Sequence, residues 1–339
     1  MSSEHNVSVV SATSIIYNLN KDKYDIYPIY ISKEGKFFKY TKNINKIKIL
    51  SLDDKITELE VIPNIFNYLK NIDVIFPVIH GLYGEDGTIQ GLFEVLGKPY
   101  VGCKVLASSI CMDKIYTKIL LERADINTSK GMYIKKYGDK YIYYDKKFNK
   151  FVLSKEELIN KVNSYLKLPV FIKPSREGSS VGVNKARCND ELITYLDIAF
   201  NYDSKVLVEE EIVGREVECA IIGNSELLVS TVGEVLSAEE FYTFDSKYKN
   251  KKSKTIIPAN IDEKLIKKIQ KLAKRAFIAC DCSGLSRVDF FIEKNTDRII
   301  LNEINTMPGF TEISMYPKLI ENLGFTYSEI LDKLIELAC

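Results

Sequence analysis

The stretch SRVDFFIEKNTDRIILNEINTMPGF concentrates reactive side chains in a strand-like pattern. Two apolar runs flank KNTD, which reads as a hairpin. Pairing about Thr296 sets Asp289 opposite Glu303 and Arg287 opposite Asn305, and period-two alternation puts all four on one face. Two carboxylates and an amide there suit magnesium, a hard cation that takes oxygen ligands together with phosphate. A solvated hairpin face is the simpler reading of charges in strands. Yet Val288, Phe290, Leu301 and Ile304 share the same runs, as in a sheet covered on both sides. Like charges packed together there are costly unless a cation or the arginine compensates, so a metal site is expected.

Other stretches point to a nucleotide. In LPVFIKPSREGSSVGV, Lys173 ends an apolar strand and is held by Pro174. Gly178, Ser179, Ser180 and Gly182 follow as a donor-rich turn of the kind that covers phosphates, though such turns also simply join strands. In KVLVEEEIVGREVE, a strand running into Glu209, Glu210 and Glu211 can hold an adenine by backbone groups, with Glu216 reaching ribose; a solvated strand end fits equally well. In FYTFDSKYKNKKSKT, lysines among aromatics suit a lid that closes over phosphate and excludes water, although an ordinary polar loop has the same composition. Nucleotide is then expected to slow proteolysis within 241–254. The opening MSSEHNVSVVSATSIIYNL starts a helix whose positive end carries Ser2, Ser3, Glu4 and His5.

These residues need a scaffold of several parts. At 339 residues the chain exceeds one ordinary core. Residues 1–113 alternate helix with strand, including YDIYPIYI, a turn at Gly35 and DVIFPVIH, which implies a parallel sheet covered on both faces. His80 lies at the carboxyl end of one of those strands, where such sheets collect ligands. Residues 114–215 are more β-rich, with a surface hairpin at 137–150, and 216–339 hold further strands, a helix over 261–280 and a helical tail. The 47 basic residues balance 46 acidic ones, which argues against non-specific nucleic-acid or anionic-membrane binding. No apolar run approaches a membrane span. Seven cysteines without paired spacing read as reduced, mostly buried cytoplasmic thiols, and two histidines nearly exclude zinc chemistry.

Together the motifs resemble the D-alanine–D-alanine ligases of the ATP-grasp superfamily. The likeness runs through SSEHNVSVVSA, HGLYGEDGTIQG, GKPYVGC, ASSICMDK, KPSREGSSVGV, the loop ending SKY, SRVD, NEINTMPGFT and ISMYPKL. It implies an α/β class fold, α+β overall, of three domains: 1–113 for substrate, 114–215 as the ATP-grasp lid and 216–339 as the catalytic part. It further implies that Lys114, Lys173 and Lys247 hold ATP phosphates. Phe241 and Glu209 to Ile212 would flank adenine, Glu216 would bind ribose, and Asp289, Glu303 and Asn305 would bind two magnesium ions, or manganese. Glu4 and His80 would line the first D-alanine site, and Glu4, Ser179 and Tyr248 would form a hydrogen-bonded triad. Arg287 and the Gly309 amide would stabilise the tetrahedral intermediate. Ser314, with Lys247 and Tyr248, would receive the second D-alanine's carboxylate. A cytoplasmic homodimer serving peptidoglycan synthesis is implied as well.

Asn6 stands where the family usually has an acidic residue, and the family's first strand with its Gly-Gly turn has no counterpart before Glu4. The expectation is that Met1 is an internal methionine misread as a start. The first sheet would then lack a strand, and Glu4 would lack the turn that aims it. Competing outcomes are a D-serine or D-lactate ligase, against which Tyr248 and Met315 speak, or a nucleotide binder that has lost catalysis.

Overall fold

The computed structural model describes residues 4–236 and 254–339. Phe241, Lys247 and Tyr248, and the lid expected around them, lie outside the described residues.

The first helix, His5–Asn18, begins at Glu4, whose side chain makes no capping bond to it. The three strands that follow are Ile29–Ile31 (β1), Phe37–Tyr40 (β2) and Leu59–Val61 (β3), in an antiparallel sheet of order β1-β2-β3. Gly35, at φ +80°, makes the expected turn between the first two. The expected parallel sheet is much reduced. Among the described residues of this stretch, parallel pairing is confined to the bridge between Ile75 and Tyr100. The apolar segments 26–31 and 74–79 both line one groove of about 980 Å³.

The second sheet comprises Gly131–Tyr137 (β4), Lys140–Tyr144 (β5), Lys150–Leu153 (β6), Val170–Pro174 (β7), Asn184–Ala186 (β8) and Lys205–Glu210 (β9). Its order is β6-β5-β4-β9-β7-β8, antiparallel throughout. Ser154 and Glu157 close a capping box at the start of helix Lys155–Tyr165. That helix and Asn189–Phe200 cover one face, where Leu158, Val162, Leu192 and Leu196 meet Ile134, Val170, Ile172, Val206 and Val208. Alternation puts Phe171, Lys173, Leu207 and Glu209 on the opposite face.

The third sheet, of order β12-β11-β10-β13-β14, is built from Gly214–Gly223 (β10), Leu227–Leu236 (β11), Lys254–Ile256 (β12), Gly284–Glu293 (β13) and Ile299–Asn305 (β14). Helix Glu263–Ala279 covers one face through a core containing Val217, Cys219, Ile221, Val288 and Phe290. The other face is split. Ala220, Ile222, Val235 and Leu285 lie under helices Met315–Glu321 and Tyr327–Ala338. Further along the same faces of β10 and β13 come Glu216, Glu218, Arg287 and Asp289, so that half of the sheet is polar by alternation alone.

Segments from early in the chain cross into this part. Ile15, Leu19 and Val101 join the core under the two last helices, and Cys111, Leu121 and Ile126 join the core under Glu263–Ala279. Four of the seven cysteines are buried and two, Cys188 and Cys339, are exposed.

Candidate active site

The two polar faces confront each other. In β13 and β14 the register is Arg287 opposite Asn305 and Asp289 opposite Glu303, as the pairing about Thr296 requires. The register then shifts, Phe290 pairing with Leu301, which leaves Asn302 as a bulge. The bulge has two effects: it turns Leu301 into the apolar core, and it brings the Asn302 amide oxygen to 3.4 Å from the Lys173 ammonium of the facing sheet.

Arg287 lies at the centre. Its fork grips Asp289 with Nε–Oδ1 at 2.8 Å and Nη2–Oδ2 at 2.7 Å, and its Nε lies 2.9 Å from Glu218. Burial works against its charge, but Asp289 and Glu218 outweigh burial and hold the guanidinium well above its ordinary pKa. Asn305 donates to Asp289 at 2.9 Å. Lys114 and Lys173 stand on the other side of the cleft. Burial pulls the Lys114 ammonium below its usual value, opposed by Glu303 and assisted by Lys173. Three cations thus face Glu218, Asp289 and Glu303 in a partly dry cleft, the balance that an anionic phosphate with its counter-cations completes.

Glu209 is not free for a ligand. Its buried carboxylate pairs with Lys173 and with Lys118, the latter at 2.8 Å, and accepts from Ser129 Oγ at 2.7 Å. Burial would raise its pKa, but the two lysines hold it below the usual carboxylate range. Glu210 accepts from the Lys130 amide at 2.9 Å, and Glu211 pairs with Lys185 at 2.7 Å. The carboxylates of Glu209, Glu210 and Glu211 are thus all engaged by protein groups.

Glu4 accepts a hydrogen bond from Ser179 Oγ. A Cβ on Gly178 would lie 2.7 Å from Glu4 Oε2, so a larger residue there would push the Glu4 carboxylate aside. Glu4 is thus aimed by the Gly/Ser turn, which corrects the expectation of an unaimed carboxylate. Buried His80 is held at both ring nitrogens: Nδ1 lies 3.0 Å from the Met307 carbonyl and Nε2 2.8 Å from Ser11 Oγ. A carbonyl only accepts, so Nδ1 carries the proton. Burial lowers the His80 pKa, against the pull of Glu4, and keeps the ring neutral.

Met307 leads into the loop that carries Gly309. There a Cβ would meet Ser314 Oγ at 2.7 Å, and Ser314 Oγ accepts from the Thr311 amide at 2.9 Å. Met315, next in the chain after Ser314, is buried against Gly233 in the core. Sequence reasoning passed over Glu218, Asn302, Lys118 and Glu85. Glu218 follows Glu216 by two in a strand, so alternation alone could have found it.

Two family models match the chain, the D-ala D-ala ligase N-terminus over residues 1–103 and the D-ala D-ala ligase C-terminus over 140–336. The D-alanine–D-alanine ligase of Acetivibrio thermocellus is 47% identical over 99% of this chain and 93% of that protein. The chain belongs to the D-alanine–D-alanine ligase family. The corresponding enzyme of Clostridium acetobutylicum is also 47% identical, over 99% of this chain and 95% of that protein. The solved structure of the VanG D-Ala:D-Ser ligase from Enterococcus faecalis superposes with a TM-score of 0.84 at 37% identity, covering 100% of this chain and 96% of that one. The fold is accordingly ATP-grasp, and the ligase is ATP-dependent. Among the described residues no helix is long and apolar enough to cross a membrane.

Glu85 of the ligase has a readable pH signature. Its half-buried carboxyl accepts from the Gly81 amide at 2.6 Å and the Met307 amide at 3.1 Å. Burial, and then the charge of Glu4, push it up to about 8, against those two amides. Below its ordinary 4.5 both folded and unfolded chains hold this proton. Between there and about 8 only the folded chain does, so this contribution to stability is lost as pH rises. Glu85→Gln, which never ionises, is expected to gain melting temperature relative to the natural chain between pH 5 and pH 8. A constant difference across that range would show that Glu85 is ionised in the folded chain.

Proposed function

We propose that the ligase joins two D-alanines through a D-alanyl phosphate, for peptidoglycan precursors, in the cleft between Lys114, Lys173 and the Arg287–Asp289–Glu303–Asn305 face. The single observation that carries this reading is that face: three oxygen-donor side chains and one guanidinium in register, with two lysines opposite. A carboxylate resists attack by an amine because its leaving group would be oxide. Transfer of the γ-phosphoryl group from ATP to a carboxylate oxygen of the first D-alanine releases ADP and converts that oxygen into a phosphate leaving group. The amine of the second D-alanine then attacks the carbonyl carbon, the carbon–oxygen bond to phosphate breaks, and a proton leaves the nitrogen.

Lys114 and Lys173 hold the phosphates while Glu216 receives ribose. Asp289, Glu303 and Asn305 fit magnesium by donor chemistry, since every atom they offer is oxygen. Two such ions, or manganese, offset the charge of the transferring phosphoryl group when bound. Arg287 and the Gly309 amide face the oxyanion of the tetrahedral intermediate. Glu4 and His80 line the first D-alanine site, His80 by fixing the Met307 loop. Ser314 stands ready for the second carboxylate. Met315 follows Ser314 directly and is buried at the start of helix Met315–Glu321; the preference for D-alanine is supported by the curated relatives.

The reading also takes 1–113, 114–215 and 216–339 as domains, the second boundary falling two residues inside β10, in a cytoplasmic homodimer. Incubation with ATP, magnesium and equal D-alanine, D-serine and D-lactate is expected to give D-alanyl-D-alanine as the main product. A mixed product in excess would overturn the specificity and leave the family assignment standing.

A further inference from the structure

The turn that meets Glu4 is not relaxed backbone. Ser179 and Ser180 sit at φ +47° and +61°, a region that non-glycine residues rarely occupy, and Gly182 follows at +69°. Such a conformation persists only where its surroundings over-determine it. Within the turn the Val181 amide donates to the Gly178 carbonyl at 3.0 Å, and at its base two consecutive residues are each held by a different buried carboxylate.

Ser175, fully buried, donates its hydroxyl to Asp113 Oδ1 at 2.7 Å, and the Lys205 ammonium takes Asp113 Oδ2. The backbone of Ser175 is fastened on both sides: its amide donates to the Lys205 carbonyl and its carbonyl accepts from the Lys114 amide, each at 3.0 Å. Arg176 grips Asp203 with Nε–Oδ2 at 3.0 Å and Nη2–Oδ1 at 2.7 Å, and its amide donates to Oδ2 at 3.0 Å. The Lys205 amide adds a bond to Asp203 Oδ1 at 3.1 Å. Lys205 therefore serves both carboxylates, one through its ammonium and one through its backbone. One residue further on, the Glu177 carbonyl takes the Lys114 ammonium at 2.5 Å, and then Gly178 and Ser179 reach Glu4.

We propose that Asp113 and Asp203 are positioning residues whose clamp on Ser175 and Arg176 holds the 177–182 turn closed over the acyl phosphate and so couples ATP cleavage to peptide formation. This rests on the reading above, in which Glu4, the carboxylate that Ser179 of this turn bonds, lines the first D-alanine site. Neither aspartate touches substrate; both act through Ser175 and Arg176.

The plainer account is that Asp113 caps helix Lys114–Arg123 and that Asp203 balances a surface arginine. Capping, however, occupies only Oδ1, which accepts from the Ile115 and Tyr116 amides. The Lys205 ammonium on Oδ2 and the Ser175 hydroxyl add nothing a cap needs. Asp203 is itself buried, at 5% exposure, although Arg176 is half exposed. An ordinary surface pair would leave both partners in water.

The accounts differ in what loosening the clamp does to the chemistry. With the turn open, water attacks the carbonyl of the acyl phosphate in place of the second amine. The carbon–oxygen bond to phosphate breaks, D-alanine is regenerated, and ATP has been hydrolysed to ADP and phosphate with no dipeptide formed. The ratio of phosphate released to dipeptide made therefore reports closure, and lower stability alone does not change it.

The test measures that ratio at saturating D-alanine, below each variant's melting temperature. The variants are Asp203→Asn, Ser175→Ala and, at the half-exposed position where folding is least at risk, Arg176→Lys, with Ser179→Ala as the turn-tip reference. The natural chain is expected at a ratio near one, and each clamp variant at a ratio raised by about threefold or more, as is Ser179→Ala. If Ser179→Ala is uncoupled while all three clamp variants stay near one, the clamp proposal falls and the covering role of the turn stands. If Ser179→Ala also stays near one, the turn does not cover the intermediate and both fall.

Discussion

Arg287→Lys is expected to lower kcat by about two to three orders of magnitude, with only a modest change in KM for ATP. The guanidinium spans two carboxylates at once, Asp289 through Nε and Nη2 and Glu218 through Nε at 2.9 Å. An ammonium is a point donor on a flexible stem. It can neutralise one of those carboxylates but cannot hold both and remain aimed at a developing oxyanion. Lysine is the informative replacement because Arg287→Ala would strand two buried carboxylates, at a cost of about 3–5 kcal/mol, and would confuse unfolding with lost catalysis. Steady-state kinetics beside a thermal melt separates the two. A kcat within about threefold of the natural chain would remove Arg287 from the oxyanion's surroundings.

Glu303→Gln is expected to cost about 3 kcal/mol of transition-state stabilisation, roughly a hundredfold in turnover, when magnesium is limiting. Glutamine keeps the shape and one oxygen but loses the charge a hard cation needs. Without metal, the variant is expected to melt at the same temperature as the natural chain or above it. Glu303 pairs with Asp289 across the hairpin, and Glu218 lies opposite Asp289 on the other side, so one negative charge fewer relieves repulsion. Manganese titration in the presence of a non-hydrolysable ATP analogue reads the ligand role directly. Unchanged manganese affinity together with natural turnover would exclude Glu303 as a ligand.

These two residues also mark how far the sequence could be read. The register of Arg287, Asp289, Glu303 and Asn305 was legible because it is local: a four-residue turn between two alternating runs leaves few pairings that bury Val288 and Phe290 and keep the charges together. The bulge at Asn302 was not legible. Nothing in RIILNEIN says where the strand will kink, since the kink is settled by packing of Leu301 against the third sheet's core. Lys173 was legible as a held lysine at a strand end. Its partners were not, because Asn302 lies 129 residues away and Glu209 belongs to a neighbouring strand.

The sequence by itself determined the motifs, their order, the family and the chemistry that the side-chain types allow, because type and local period are properties of neighbours in the chain. Tertiary structure alone decided which of those side chains are available. It spent Glu209 on two lysines and Met315 on the core, committed both nitrogens of His80 to the Met307 loop and Ser11, and reduced the first parallel sheet to a bridge. It also turned Glu4 from the start of a helix onto Ser179, 175 residues away. Contacts at such separation depend on how whole sheets and helices pack, which alternation and spacing within one segment do not contain.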